Sequence, residues 1–182
     1  MVIAAKGAVI VLSAPSREKK SEDSIVTTEK EEVIVYCDGA CSGNQFKGNK
    51  GGWGAVLSCK GNVKEIRGGE RNTTNQRMEL TGCIAALESL KGRGLPIILY
   101  SDSAYVINGM QQKWYERWEQ NGWLNYRRKP VENRDLWERL LKLVRAHNIE
   151  FRKVTGHSGV VLNERADQLA RIAITELNGA SR

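Results

Sequence analysis

Val33-Ile34-Val35-Tyr36-Cys37-Asp38 is the stretch on which the fold turns, a β-branched run ending on an acid and followed at once by Gly39-Ala40-Cys41-Ser42-Gly43-Asn44. β-Branched and aromatic side chains suit a pleated surface, so the run predicts a buried strand with Asp38 at its end. Gly and Asn are frequent from Gly39 to Gly52, which predicts a loop there. Trp53 to Ser58 and Val63 to Arg67 predict two further strands, joined by a turn at Lys60-Gly61-Asn62. From Asn75 the period changes: Met78, Leu80, Ile84, Ala85, Leu87 and Leu90 recur at helical spacing, and breakers between Gly92 and Pro96 end the element. Ile97 to Tyr100 predicts a fourth strand running into Asp102. A helix from Ala104 follows, weakened by Gly109, and residues 133 to 146 predict another with Leu136, Leu140, Leu141 and Val144 on one stripe. Ile149 to Val154 predicts a fifth strand, and Glu164 to Leu177 a last helix. The order βββαβααβα implies an α/β fold: a five-stranded mixed sheet, three antiparallel strands extended by parallel ones, with helices on both faces.

Upstream, residues 13 to 31 mix Ser, Pro, Lys, Glu and Thr with little apolar content, as a solvated segment does. The expected organisation is a disordered or extended tail over residues 1–31, a folded domain over 32–178 and a short tail over 179–182. Residues 1 to 32 carry five basic and six acidic side chains, so the net charge of +7 becomes +8 over the remainder. A basic folded body suggests a polyanionic partner. The four cysteines, Cys37, Cys41, Cys59 and Cys83, lack the Cys-x2-Cys pairs or His cluster of a zinc site and read as reduced thiols. No apolar stretch reaches the 18 or so residues that span a bilayer. A monomeric, cytoplasmic protein is the expectation, with no membrane association.

Four acids stand out by position: Asp38 and Asp102 follow strands, and Glu79 and Asp167 each lie one turn into a helix. The crevice at the carboxyl ends of parallel strands is where ligands collect in such sheets. Taken singly, each acid has a structural explanation in turns or helix dipoles. As a set of four they would repel one another without a cation, and hard oxygen donors in that number suit Mg²⁺ or Mn²⁺.

The segments carrying these acids are Tyr36-Cys-Asp38-Gly-Ala-Cys-Ser-Gly-Asn44, Thr73-Thr-Asn-Gln-Arg-Met-Glu79-Leu, Tyr100-Ser-Asp102-Ser-Ala-Tyr and Asn163-Glu-Arg-Ala-Asp167-Gln-Leu-Ala, with Thr155-Gly-His157-Ser-Gly between the last two. In order and spacing these five resemble the signature segments of type 1 ribonuclease H, in its bacterial form with a basic handle, over about residues 33 to 176. The resemblance implies a ribonuclease H-like fold and an endonuclease that hydrolyses the RNA strand of RNA/DNA hybrids with two Mg²⁺ ions, or Mn²⁺ in their place, leaving 5′-phosphate and 3′-hydroxyl ends. It implies that Asp38, Glu79, Asp102 and Asp167 are the metal ligands. Asp38 would bridge both ions, Asp167 would complete the ion that carries the attacking water, and Glu79 with Asp102 would hold the ion on the leaving side. His157 would move protons or help product leave.

A hybrid nuclease must sense the 2′-hydroxyl, which A-type helices expose in a wide minor groove. By the resemblance, Asn44, Asn75 and Gln76 face that groove, and Thr74, Arg77 and Asn133 lie near the grip on a DNA-strand phosphate. Four of the five tryptophans, Trp114, Trp118, Trp123 and Trp137, fall among basic residues in and beside the segment 113–134 that resembles the handle. There Trp114, Arg127, Arg128 and Lys129 are candidate substrate contacts, although a stripe of aromatics at helical spacing is more often core. From Lys113 to Arg139 seven basic residues meet five acidic ones. Glu119 and Gln120 replace lysines of more basic members, Ala104 replaces a groove-facing Gln, and the loop after Asn44 is about three residues longer. Competing readings are a reverse-transcriptase ribonuclease H domain, a transposase-like DNA nuclease and a catalytically dead binding module. The His157 loop argues against the first two, and retention of all four acids argues against the third.

Overall fold

The computed structural model describes residues 12–13, 31–43, 48–90, 94–156 and 158–179. Three long strands, β1 (Val33–Ser42), β2 (Lys50–Cys59) and β3 (Asn62–Arg71), form an antiparallel meander, and β4 (Ile97–Ser101) and β5 (Ile149–Lys153) extend it in parallel beyond β1. The order across these five is β3-β2-β1-β4-β5, the mixed sheet expected from the sequence, and Leu12–Ser13 pairs antiparallel with Lys64 and Val63 of β3 at its outer edge.

Alternation along β1 and β2 divides the interior in two. Val33, Val35 and Cys37, with Ala55 and Leu57, join one buried cluster; Tyr36 and Val56 fall on the other side of the sheet. Successive strand residues point to opposite faces, and here both faces are covered, which is why β2 is buried almost along its length. Helix α1 (Asn75–Glu88) covers the first face with α4 (Arg134–Ala146), whose Leu136, Trp137, Leu140 and Leu141 are buried; α5 (Val161–Gly179) covers the second through Ala166, Leu169 and Ala170.

Two expectations are corrected. The Gly-rich run predicted as a loop from Gly39 to Gly52 is sheet at both its ends: Gly39 pairs with Trp53, Ala40 with Gly52 and Cys41 with Gly51. Glycine serves close packing here. A Cβ on Gly39 would lie 2.3 Å from the Glu79 amide nitrogen, and one on Gly52 would lie 2.1 Å from the Ala170 carbonyl oxygen. The second correction concerns the segment after β4, where three helices replace the two predicted: α2 (Ala104–Gln111), α3 (Trp114–Gln120) and α4. Lys113 breaks the path between α2 and α3 by adopting the left-handed conformation at φ 51°.

The tryptophans of this region are largely core. Trp118 stacks edge-on with Trp114 and Trp137 at 6.1 and 5.4 Å between centroids and packs against Trp123 at 5.9 Å. Trp118, Trp123 and Trp137 are buried, while Trp114 is half-buried against the same cluster.

Candidate active site

Four separate elements bring carboxylates to one open cleft of about 560 Å³. Asp38 comes from β1, Glu79 from α1, Asp102 from the loop leaving β4 and Asp167 from α5; Asn75, Ser103 and Arg171 line the cleft with them. Parallel pairing of Tyr36 with Tyr100 sets β1 and β4 in register, so that Asp102 leaves β4 beside Asp38, which lies not at the end of β1, as the sequence suggested, but within it, paired with Gly54 of β2. The side-chain-free Gly39 lets α1 approach β1 closely enough to bring Glu79 beside Asp38. Gly156 performs the same service for the loop that follows β5, where a Cβ would lie 2.6 Å from Asp102 Oδ2.

Each acid has its own surroundings. Asp38 Oδ1 accepts from the Gly39 amide at 2.7 Å. Burial, and after it the charge of Asp102, pushes the Asp38 carboxyl up to about 7, with smaller contributions from Asp167 and Glu79 against the opposing Gly39 hydrogen bond. Glu79 accepts from Asn75 Nδ2 at 2.7 Å and from Ser103 Oγ at 2.6 Å. Burial raises its pKa despite these donors, and Asp102 raises it further. Asp167 accepts from Arg171 Nε at 2.9 Å on both oxygens.

The donor set is therefore all oxygen, partly buried, and short of positive charge, which fits a hard divalent cation. Among the described residues no three His, Cys, Asp or Glu side chains stand within reach of one ion as they are now arranged. Glu79 and Asp167 are held instead by donors from within the chain, which an ion would have to replace.

The remaining candidates fall outside the cleft lining. Thr74 is the N-cap of α1, its Oγ1 accepting from the Arg77 amide at 3.3 Å. Gln76 is exposed beside it. Arg77 donates to Asn133 Oδ1 at 3.3 Å and forms a two-pronged pair with Asp135 at 3.1 and 2.9 Å, tying α1 to the start of α4. Trp114 donates to Gln112 through Nε1. Arg127, Arg128 and Lys129 are exposed on a tight reversal held by Asn125, whose Oδ1 accepts from the Arg127 and Lys129 amides. Asn44 and His157 lie outside the described residues.

Two site residues escaped the sequence reading. Ser103 caps α2, accepting from the Val106 amide while donating to Glu79; its position directly after Asp102 at a helix start was the available signal. Arg171 was visible only as a basic residue four positions beyond Asp167, a spacing that places both on one helix face.

The ribonuclease H family model matches residues 30–175. A ribonuclease H of Syntrophomonas wolfei is 53% identical over 146 residues, covering 80% of this chain and 98% of that protein. Among solved structures, LC9-RNase H1, described as a type 1 RNase H with the type 2 active-site motif, superposes with a TM-score of 0.71 at 33% identity, covering 81% of this chain and 74% of that one. LC11-RNase H1 in complex with an RNA/DNA hybrid shares the fold at 21% identity, with a TM-score of 0.62 over 80% of this chain and 99% of that one. A family match across most of the described sheet and helices, joined to a relative more than half identical over nearly its whole length, means that this chain belongs to the ribonuclease H family of enzymes.

Proposed function

We propose that the protein is an endonuclease that hydrolyses the RNA strand of RNA/DNA hybrids, and that residues 32–178 form its catalytic domain. The observation carrying this reading is the convergence of Asp38, Glu79, Asp102 and Asp167 on one open cleft with a single cation among the described residues lining it. Four anions so placed are unfavourable in isolation and become useful only around divalent cations. Two Mg²⁺ ions, or Mn²⁺ in their stead, would supply an acidified attacking water and neutralise charge on the departing oxygen. Asp38, nearest the centre of the cluster's repulsion, is the residue suited to share both ions. Asp167 would complete the holding of one, and Glu79 with Asp102 that of the other.

The rest of the chain orients these groups and the substrate. Ser103 and Asn75 hold Glu79 from two sides, fixing its carboxylate toward the cleft. Asn75 at the cleft wall and Gln76 on the adjoining surface are short polar groups of the kind that recognises a 2′-hydroxyl in a shallow minor groove. Asn44 is assigned with them by family likeness. Thr74, Arg77 and Asn133 would position a DNA-strand phosphate, Asp135 keeping the Arg77 guanidinium oriented. Handle residues Trp114, Arg127, Arg128 and Lys129 would add contacts to the hybrid away from the reacting bond. His157 would move protons at the departing product.

A labelled RNA/DNA hybrid incubated with Mg²⁺, beside duplex DNA and duplex RNA of the same sequence and a chelated control, tests the reading. Cleavage confined to the RNA strand of the hybrid, dependent on Mg²⁺ and leaving 5′-phosphate and 3′-hydroxyl ends, is expected. Cleavage of duplex DNA at a comparable rate, or undiminished activity in chelator, overturns it.

A further inference from the structure

Arg171 stands one turn beyond Asp167 on α5, and its Nε engages both oxygens of that carboxylate at 2.9 Å. Among the described residues lining the cleft it is the one cation, facing four carboxylates. Its side chain is 65% exposed while that of Asp167 is 19% exposed, so the guanidinium reaches inward from the cleft mouth to a largely covered acid. Asp38 also favours the charge on Arg171 across the cleft. Glu79, by contrast, accepts from the neutral donors Asn75 and Ser103. A guanidinium does not lose its proton at any pH where a protein works, so raising the pH does not remove the positive partner.

We propose that Arg171 is the internal counter-ion of the carboxylate cluster and competes with a divalent cation for Asp167. The inference rests on the reading of the cluster as a metal centre. The same N–H is shared by both Asp167 oxygens, so an ion approaching between them must displace or lengthen that contact, and one bound at an outer lone pair must accept a positive neighbour. Loading at Asp167 is thus opposed by the guanidinium, through the shared contact and through its charge. In the metal-free protein the same guanidinium relieves part of the cluster's repulsion. Arg171 is a positioning residue in this account, acting through Asp167.

The test is calorimetric titration of Mn²⁺ into the wild type, Arg171→Gln, Arg171→Lys, Asp167→Asn and the Asp167→Asn/Arg171→Gln double variant, with the melting temperature of each also measured in chelator. Arg171→Gln is expected to tighten Mn²⁺ binding roughly two- to tenfold, the range set by breaking an exposed ion pair and removing a nearby like charge. It should also lower the metal-free melting temperature. Arg171→Lys, which keeps the charge but not the fixed fork, should fall between. In the Asp167→Asn background the substitution at 171 should add clearly less tightening, because the direct contact is gone and only the like-charge repulsion remains. Equal affinity in wild type and Arg171→Gln, or full tightening without Asp167, overturns the proposal while leaving the metal centre intact. Absence of Mn²⁺ binding in every protein, wild type included, overturns the metal centre and this inference with it.

Discussion

Asp38 carries the sharpest consequence at the scale of single residues, because one side chain serves the proposed chemistry at the expense of stability. Its carboxyl is pushed from an ordinary 3.8 to about 7 by burial and by the neighbouring acids. A group whose folded pKa lies above its unfolded value contributes stability that is complete below the unfolded pKa and is lost as pH rises through the folded one. In chelator, wild type should therefore lose stability relative to Asp38→Asn between about pH 4 and pH 7, with similar melting at pH 4. Each pH unit of displacement corresponds to about 1.4 kcal/mol, so above pH 7 the variant should be the more stable by on the order of 4 kcal/mol. Cleavage should be abolished in the same variant, and Mn²⁺ should no longer raise its melting temperature as it does that of wild type. Chemical denaturation across a pH series reads the first effect, and parallel pH curves for the two proteins would show that Asp38 is not held under repulsion.

Among the elements, α2 shows how tertiary packing reverses a local preference. Gly109 lies inside this helix, and helix propensity alone would favour alanine there by about 1 kcal/mol. The Trp137 ring occupies the space, 2.4 Å from where a Cβ would stand, and Trp137 is fully buried beneath Tyr105, whose hydroxyl accepts from its Nε1 at 2.7 Å. Overfilling a packed core costs roughly 1–3 kcal/mol, so the packing loss should outweigh the propensity gain. Gly109→Ala is expected to destabilise the fold by about 1–2 kcal/mol, measured by urea denaturation; a stabilised variant would mean that the Trp137 pocket relaxes freely. The strands carry the same lesson. Gly39, Gly51 and Gly52 read as loop residues in one dimension, yet they lie within β1 and β2 because α1 and α5 press against them.

Over the whole molecule, charge is distributed between paired and free arginines in a way composition does not reveal. Glu119 pairs with Arg145 and Glu138 with Arg134, so two of the acids expected to offset the handle are already matched. Arg127, Arg128 and Lys129 remain exposed, with the Arg127 guanidinium 5.1 Å from the Tyr126 ring centre. Replacing all three with Ala should flatten the log-log salt dependence of hybrid binding by about one to three, at roughly 0.9 per neutralised phosphate. Contacts made equally in ground and transition states change KM and leave kcat nearly alone. Steady-state kinetics across a salt series checks this, and an unchanged slope with an unchanged KM would mean that the handle's basic residues are merely solvated. The fold class, the four acids and the family were legible in the sequence because strand and helix periods are local and the signature segments are contiguous. The extent of β1 and β2, the break at Lys113 and the burial of the tryptophans were not, since each depends on what another element places opposite. Only the folded arrangement decided that Ser103 would hold Glu79 and that Arg171 would turn onto Asp167. A sequence states which groups exist and on which face of an element they lie, whereas their partners follow from long-range packing that puts β1, α1, β4 and α5 at one cleft.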